Sequence, residues 1–336
     1  YLITNPLTGT SCHTALDGEV PGRFAAAASG VFYHVEDGDS LVLKHLAYDG
    51  MASLLPFTAI PRDGLFYPAY AVSADGQRVA WSHGSVATTG ADGRNEIRSE
   101  LFVANVDGSG MDAPLLGLDT QTFAGRAVVP VRFSADNRTL FYTFQPVYGG
   151  GPWNSFTGRY DNLYALPLDG GAVELNQIEA IFDCADYGLL LCLGDFVEDN
   201  GEVTTLAYVD ANNALVIRNG TGENLNIIAL NADYVGFPTF GPGGELVFYG
   251  AEFGPDPLRS VTGTIYRVAP PTAAHETLAS AEGLLMPQAW LGTMHIVAGY
   301  SSEPDSRGTA IVGLDGTLEV LDSDPNGGFI AVLPLP

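Results

Sequence analysis

The feature of this sequence that most constrains the fold is a unit of four short apolar segments that recurs along the chain. In its clearest copy, residues 70–118, the segments read YAVSADG, QRVAWSHGS, SELFVANVDG and MDAPLLGL. Asp75-Gly76 follows the first segment and Asp107-Gly108 the third, and Asp-Gly pairs suit the positive-φ positions of tight turns. The unit therefore predicts four antiparallel strands, with a longer polar connection between the second and the third.

Further copies of the unit begin near residues 23, 129, 181, 234 and 284, and the copy at 181–230 fits least well. A four-stranded unit cannot bury both of its faces alone, whereas units stacked radially bury them against each other. The sequence thus predicts an all-β fold, a six-bladed β-propeller of four-stranded antiparallel blades in a single domain. The predicted blades are residues 22–62, 63–120, 121–180, 181–230, 231–280 and 281–336, with residues 1–21 as a terminal segment. The apolar ends YLITNPL and GGFIAVLPLP are candidates for closing the ring, and the sequence leaves open which of them does so.

Two copies of the unit carry a family resemblance. The segments FSADNRTLFYT…DNLYALPLDGG and VSADGQRVAWS…SELFVANVDGSG resemble the TolB-type (WD40-like) propeller repeat, whose pattern is roughly FSPDGxxIAFxS…xIYVMDxDG. Ala74 and Ala135 stand where the repeat usually has proline, while residues 241–244, GPGG, match that turn more closely. The resemblance covers most of residues 23–322. It implies the fold and little about activity, because this repeat occurs in binding, scaffolding and enzyme-associated proteins alike.

The charge of the chain excludes several classes of partner. It has 14 Lys and Arg against 39 Asp and Glu, a formal net charge of −25. Such a surface repels phosphate backbones and anionic lipid headgroups, so we expect neither nucleic acid nor an anionic membrane surface as a partner. No segment reaches the roughly 18 consecutive apolar residues of a transmembrane helix.

Three cysteines bear on the compartment. Cys184 and Cys192 flank ADYGLLL, which we interpret as a hairpin turning near Tyr187-Gly188. Residues facing each other across antiparallel strands lie at a separation that a disulfide can span. A disulfide would indicate an oxidising, extracellular or periplasmic location. Two buried free thiols are the alternative, and Cys12 could pair with either residue.

The connection between the second and third strands of the third unit is the predicted binding loop. It combines aromatic and arginine side chains of the types enriched at binding hot spots. These are Tyr148, Trp153, Phe156, Arg159 and Tyr160. Residues 85–99 and 253–263 occupy the equivalent position in units two and five, and in a propeller all three would project from one face. The alternative is that the aromatic rings fold back onto their own blade.

A candidate calcium loop lies near the C-terminal end. Asp322, Asp324 and Asn326 alternate and are followed by Gly327, which matches the first half of an EF-hand loop. Position twelve would be Leu333 instead of glutamate, so a true EF-hand is excluded. A turn formed by Asp, Asn, Pro and Gly for conformational reasons is the alternative, and no other cofactor is predicted.

The sequence favours a non-catalytic, exported propeller that binds a protein or serves as a scaffold subunit in a larger assembly. It contains no G-x-S-x-G elbow and no histidine–cysteine zinc pattern. One alternative is a hydrolase or lyase that uses the central channel and a divalent cation. A second is a carbohydrate-binding module with Trp153 as a stacking platform.

Overall fold

Each four-strand unit forms its own antiparallel sheet. The structure, a computed structural model, describes residues 2–5, 10–13, 19–62, 65–89, 95–110, 116–121, 126–146, 158–169, 178–255, 260–269, 274–301 and 308–322. Six sheets contain four consecutive strands each, in the order β3–β6, β7–β10, β11–β14, β15–β18, β19–β22 and β23–β26; they are blades 1 to 6.

The strands of the described residues are β1 (Leu2–Asn5), β2 (Thr10–His13), β3 (Glu19–Ala27), β4 (Gly30–Asp37), β5 (Ser40–Ala47), β6 (Ala52–Pro61), β7 (Leu65–Val72), β8 (Arg78–Thr89), β9 (Asn95–Asn105), β10 (Leu116–Gln121), β11 (Arg126–Phe133), β12 (Thr139–Pro146), β13 (Asn162–Pro167), β14 (Phe182–Asp183), β15 (Leu193–Asp199), β16 (Glu202–Val209), β17 (Ala214–Asn219), β18 (Asn224–Ala229), β19 (Tyr234–Phe240), β20 (Leu246–Phe253), β21 (Val261–Val268), β22 (His275–Glu282), β23 (Leu284–Leu291), β24 (His295–Ser301), β25 (Gly308–Gly313) and β26 (Leu318–Asp322).

The first strand of each blade lies nearest the centre of the molecule. β3 packs against β7, β7 against β11, β15 against β19, and β19 against β23. The chain is therefore a six-bladed β-propeller, which confirms the predicted fold. We use the term upper face for the side that carries the connections between second and third strands.

The hydrophobic core is divided between the blades, as radial stacking requires. Each of five clusters combines buried side chains from two successive blades. Between blades 3 and 4, for example, the rings of Phe141 and Phe196 meet edge to face with centroids 4.9 Å apart. The faces that a single sheet could not bury are thus covered by the next sheet.

All six inner strands carry an irregularity in their pairing with the second strand. The register shifts fall at Glu19/Phe24, Phe66/Ala69, Pro130/Arg132, Leu193/Asp195, Gly236/Thr239 and Pro287/Ala289. A bulge leaves a residue outside the ladder and re-aims neighbouring side chains. Backbone N–H and C=O groups at these positions can therefore form hydrogen bonds with other blades.

The turn between the first two strands of blade 2 also joins two blades. Asp75 accepts hydrogen bonds at Oδ1 from the Ser73 hydroxyl (2.6 Å) and the Gln77 amide (3.0 Å). Its Oδ2 accepts a hydrogen bond from Asn137 Nδ2 of blade 3 at 2.7 Å. The aspartate of the repeated Ser-Ala-Asp segment thus both shapes its turn and fixes the neighbouring blade.

The boundary predicted between blades 3 and 4 was wrong. Phe182–Asp183 (β14) is the fourth strand of blade 3, pairing with Asn162 and Leu163. The following Cys184–Tyr187 is a 3₁₀ helix, not one arm of a hairpin; Asp183 caps its start by accepting a hydrogen bond from the Ala185 amide. Blade 4 begins only at Leu193. A short apolar run has the same residue pattern whether it forms the first or the fourth strand of a blade. The spacing of its apolar residues therefore cannot assign it to blade 3 or blade 4.

The N-terminal segment forms a separate element. Leu2–Asn5 and Thr10–His13 pair with each other in a two-stranded sheet, and within the described residues neither joins a blade. Residues 323–336, the other candidate for ring closure, lie outside the described residues.

The structure joins Cys184 and Cys192 in a disulfide with their Cα atoms 5.8 Å apart. Both residues are buried, and the bridge links the end of blade 3 to the start of blade 4. The side chain of Cys12 lies outside the described part of the chain.

Replacing Cys192 with serine is expected to lower the free energy of unfolding by about 2 kcal/mol, because the unfolded chain loses a closed loop of eight-residue separation. Urea unfolding of the variant, and of the wild type with and without reductant, measures the effect. Wild-type protein that unfolds identically with and without reductant would contradict the bridge.

Candidate functional site

The polar groups nearest the centre of the propeller converge from several blades. Arg159 comes from blade 3, just before β13, and its backbone is fixed against blade 4. Its amide donates to the Leu193 carbonyl at 2.8 Å, and Tyr160 forms an isolated β-bridge with the same residue. Gln145 Nε2 donates to the Arg159 carbonyl at 2.9 Å. The backbone position of Arg159 is therefore determined by two blades.

The side chain of Arg159 reaches across the centre of the propeller to blades 5 and 6. Its Nη2 donates to Thr239 Oγ1 at 2.9 Å, to the Pro287 carbonyl at 3.0 Å and to the Gln288 carbonyl at 3.1 Å. Pro287 and Gln288 lie at the bulge of β23, where the ladder is interrupted. One guanidinium thus connects the inner strands of two blades to a third.

A second arginine of blade 3 connects it to blades 4 and 5. The guanidinium of Arg132 lies 3.8 Å from the centroid of the Phe196 ring and donates to the Phe196 carbonyl. Its Nη1 is 3.5 Å from Asp195 Oδ1. Asp195 Oδ2 in turn accepts a hydrogen bond from the Phe240 amide at 2.9 Å. These contacts therefore link the inner strands of blades 3, 4 and 5.

Blade 6 contributes an aromatic contact to the same region. Trp290 Nε1 donates to the Thr239 carbonyl at 3.4 Å. The indole also packs on Gly241, where an added Cβ would lie closer than 3.0 Å to three ring carbons. Blades 5 and 6 are thus locked together beside the acceptor that holds Arg159.

These polar side chains stabilise the ring by forming hydrogen bonds between blades. Arg132, Asp195 and Trp290 direct their polar atoms to backbone groups or to each other across blade boundaries. Within the described residues, Arg159 donates to a hydroxyl and two carbonyls, and none of its acceptors is a carboxylate.

The structure separates the residues of the predicted binding loop. Tyr148, Trp153 and Phe156 lie outside the described residues, so their role remains a prediction. Tyr160 lies at the junction of blades 3 and 4, and Arg159 lies at the centre. Asp195, Thr239 and Trp290 were not identified from the sequence, because each lies in an ordinary strand segment and only the ring brings them together.

The calcium loop remains a prediction as well. Asp322 ends β26, with its backbone opposite Thr309, while Asp324 and Asn326 lie outside the described residues. Among the residues that the structure does describe, no three His, Cys, Asp or Glu side chains are grouped closely enough to hold a metal ion. Within the same residues, no helix is long and apolar enough to cross a membrane.

One histidine of blade 1 is buried. His34 of β4 is 6% exposed and meets the Tyr70 ring edge-on, with centroids 4.8 Å apart. Within the described part of the chain, its Nε2 is buried without a hydrogen-bond partner. Burial lowers the pKa of His34 from 6.5 to about 4, because the charged imidazolium is poorly solvated there.

This pKa predicts a loss of stability on acidification. The unfolded chain protonates His34 near pH 6.5 while the folded chain does not, so the unfolded state binds more protons below that pH. His34 should have no effect above about pH 6.5, and stability should fall by about 2 kcal/mol between pH 7 and pH 5. Urea unfolding against pH, compared with His34→Gln, isolates the contribution from that of the carboxylates. Equal pH slopes for the two proteins would refute it.

Comparison with known proteins is informative about the fold. No family model matches the chain. A UPF0228 protein of Methanosarcina acetivorans is 32% identical over 87 residues, which is 25% of this chain and 41% of that protein. The chain thus spans less than half the length of the curated relative it matches.

Similar solved structures cover most of the chain at low sequence identity. An oligogalacturonate lyase from Vibrio parahaemolyticus has a TM-score of 0.58 at 11% identity, covering 93% of this chain and 82% of that one. An uncharacterized protein from Listeria monocytogenes EGD-e has a TM-score of 0.52 at 6% identity, covering 94% and 87%. A putative TolB from Agrobacterium tumefaciens has a TM-score of 0.43 at 14% identity, covering 81% and 84%. The first two share the fold of this chain.

Proposed function

We propose that this chain is a non-catalytic, exported β-propeller that binds a protein partner on its upper face. The proposal rests on the hydrogen bonds that the polar side chains at the centre of the propeller form between blades. Arg132, Asp195 and Arg159 each form hydrogen bonds with groups of another blade, as a rigid scaffold needs. Binding residues are commonly carried by the variable connections of such a scaffold.

Blade 2 supplies a structured element on the upper face. Residues 85–99, predicted as a loop, are mostly strand: β8 and β9 stay paired from Ser85↔Arg98 to Thr89↔Asn95. The inner strand β7 ends its pairing at Ser85, while β10 remains paired with β9 as far as Gln121↔Glu96. A three-stranded ribbon, formed by residues 86–89, residues 95–98 and the end of β10, therefore extends above the rest of blade 2. The β-branched residues of SVATT favour this extension of the strand.

The ribbon gives the proposal a direct test. A variant in which residues 87–96 are replaced by Asn-Gly shortens the ribbon but keeps a favourable two-residue hairpin turn between the paired Val86 and Ile97. Immobilised wild type should retain a stoichiometric partner from the extracellular or periplasmic fraction of the native source, and the variant should retain at least about tenfold less. Met294→Asp, at an exposed turn on the opposite face, is the matched control and should bind like the wild type.

Two outcomes would contradict this function. One is equal retention by the wild type and the ribbon variant, or no stoichiometric partner at all. The other is turnover of oligogalacturonate, the substrate class named for the Vibrio lyase, by the isolated chain with an added divalent cation. Export is supported by the disulfide. It predicts that alkylation of the native-source protein, unfolded in denaturant, leaves Cys184 and Cys192 unmodified until a reductant is added.

A further inference from the structure

The sequence contains two acceptor motifs for N-linked glycosylation, Asn-x-Ser/Thr with x other than proline. They are Asn137-Arg138-Thr139 and Asn219-Gly220-Thr221. An attached sugar is bulky and lies in solvent, so a folded chain accommodates it only on an asparagine at the surface. The contacts that the two asparagines form in the propeller therefore distinguish between the motifs.

Asn219 lies at an exposed turn within a single blade. It ends β17, and the turn that follows leads into β18. The Thr221 hydroxyl and the Glu223 amide both donate to Asn219 Oδ1, each at 2.8 Å. Thr221 and Glu223 are exposed. The asparagine and the threonine of this motif are thus already in contact, in a turn that reaches solvent.

The nitrogen of Asn219 that would carry the sugar is weakly held. Nδ2 donates to Glu223 Oε2 at 3.4 Å, which is long for a hydrogen bond. A glycosylated amide keeps one N–H, so it could still donate to this carboxylate. Attachment of a sugar at Nδ2 therefore costs the turn no strong hydrogen bond.

Asn137, in contrast, connects two blades. Its Nδ2 donates to Asp75 Oδ2 at 2.7 Å, and its carbonyl accepts from Arg78 Nη1 at 2.7 Å, both in blade 2. The threonine of this motif faces blade 4, since a Cβ added to Gly201 would lie 2.4 Å from Thr139 Oγ1. A sugar on Asn137 Nδ2 would stand at the boundary between blades 2 and 3 and disturb the ring.

We propose that Asn219 is N-glycosylated in the exported protein and that Asn137 is not. The inference rests on the export included in the proposed function, because this modification is typical of secreted proteins. The donor is an oligosaccharide linked to a lipid phosphate, and an oligosaccharyltransferase of the exporting cell catalyses the transfer. A bond forms between Asn219 Nδ2 and the anomeric carbon of the first sugar, and Nδ2 gives up one proton. The bond from that carbon to the phosphate oxygen breaks, and the lipid phosphate leaves with the electron pair.

The turn after Asn219 lies on the face opposite the proposed partner surface. It connects the third and fourth strands of blade 4, whereas the upper face carries the connections between second and third strands. A glycan there would add solvated bulk to the lower face and leave the ribbon of blade 2 accessible. Loss of the glycan should therefore leave partner binding unchanged, so glycosylation and partner binding can fail independently.

Peptide mass spectrometry of the protein purified from its native source tests the proposal. Cleavage after glutamate releases residues 203–223, in which Asn219 begins the only acceptor motif. This peptide should carry sugar residues on Asn219. The tryptic peptide 133–138, which contains Asn137, should be unmodified.

Substitutions at Thr221 are the matched pair, because they leave Asn219 in place. Thr221→Ala removes the hydroxyl that the motif requires and should lower the modified fraction at least about tenfold, whereas Thr221→Ser should be modified like the wild type. Protein recovered outside the cytoplasm with an unmodified peptide 203–223 would overturn the proposal. A sugar that persists on Asn219 in Thr221→Ala would do so too. Protein found only in the cytoplasm would overturn export and glycosylation together.

Discussion

Arg159→Met is expected to lower the free energy of unfolding by about 3 kcal/mol. The variant keeps an unbranched aliphatic chain but removes the guanidinium that donates to Thr239, Pro287 and Gln288. Hydrogen bonds from a charged donor contribute about 1.5–3 kcal/mol each, and buried acceptors that lose their donor add a desolvation cost. The expected loss is smaller than the sum for three separate bonds, because all three come from one nitrogen that carries only two hydrogens. Urea unfolding measures this loss of stability, and we expect the variant and the wild type to have the same m-value.

Arg62→Met is the control for this prediction. Arg62 forms an ion pair with Glu36 at 3.0 Å, but both side chains are about half exposed. Exposed pairs of this kind contribute about 0–1 kcal/mol. If the two variants lose the same stability, Arg159 does not brace the ring.

Gly158→Ala should destabilise the protein by at least about 3 kcal/mol, and it should do so without removing any hydrogen-bonding group. An added Cβ would lie closer than 3.0 Å to the Leu191 carbonyl oxygen, the Cys192 carbonyl carbon and the Leu193 carbonyl oxygen. These are backbone atoms, and Leu193 is also held by hydrogen bonds from Arg159 and Tyr160. Since the segment cannot shift without breaking the contact between blades 3 and 4, overpacking here is costly. Thermal or urea unfolding measures the loss.

Gly299→Ala serves as the matched substitution. Gly299 lies in β24, and its added Cβ would have no neighbour nearer than 3.5 Å. A change within about 1 kcal/mol is expected at such a site. Similar losses at both glycines would show that the crowding at Gly158 is relieved by relaxation.

The elements that were predicted correctly depend on short-range patterns. Alternating apolar residues and Asp-Gly turns are properties of ten to fifteen residues, so hairpins such as β7–β8 follow from the sequence directly. The errors lie where local pattern is ambiguous. Phe182–Asp183 could begin or end a sheet, and the run after Ser85 could be loop or strand; in both cases the pairing partner decides.

The central side chains show what the sequence could not provide. Arg159 was identified because an arginine near several aromatic residues is typical of a binding loop. Its partners are 80 residues away at Thr239 and 128 and 129 residues away at Pro287 and Gln288. No local signal connects these positions, since the bulge that frees the two carbonyls is itself a feature of the paired sheet.

The sequence by itself determined the blade: its strands, its tight turns and the number of copies, because these follow from apolar period and turn chemistry over a few residues. Only the tertiary structure decided which blades share a side chain at the centre. The physical reason is that this sharing depends on the arrangement of complete sheets around one axis. That arrangement brings together residues that are far apart in the sequence and that no local sequence pattern connects.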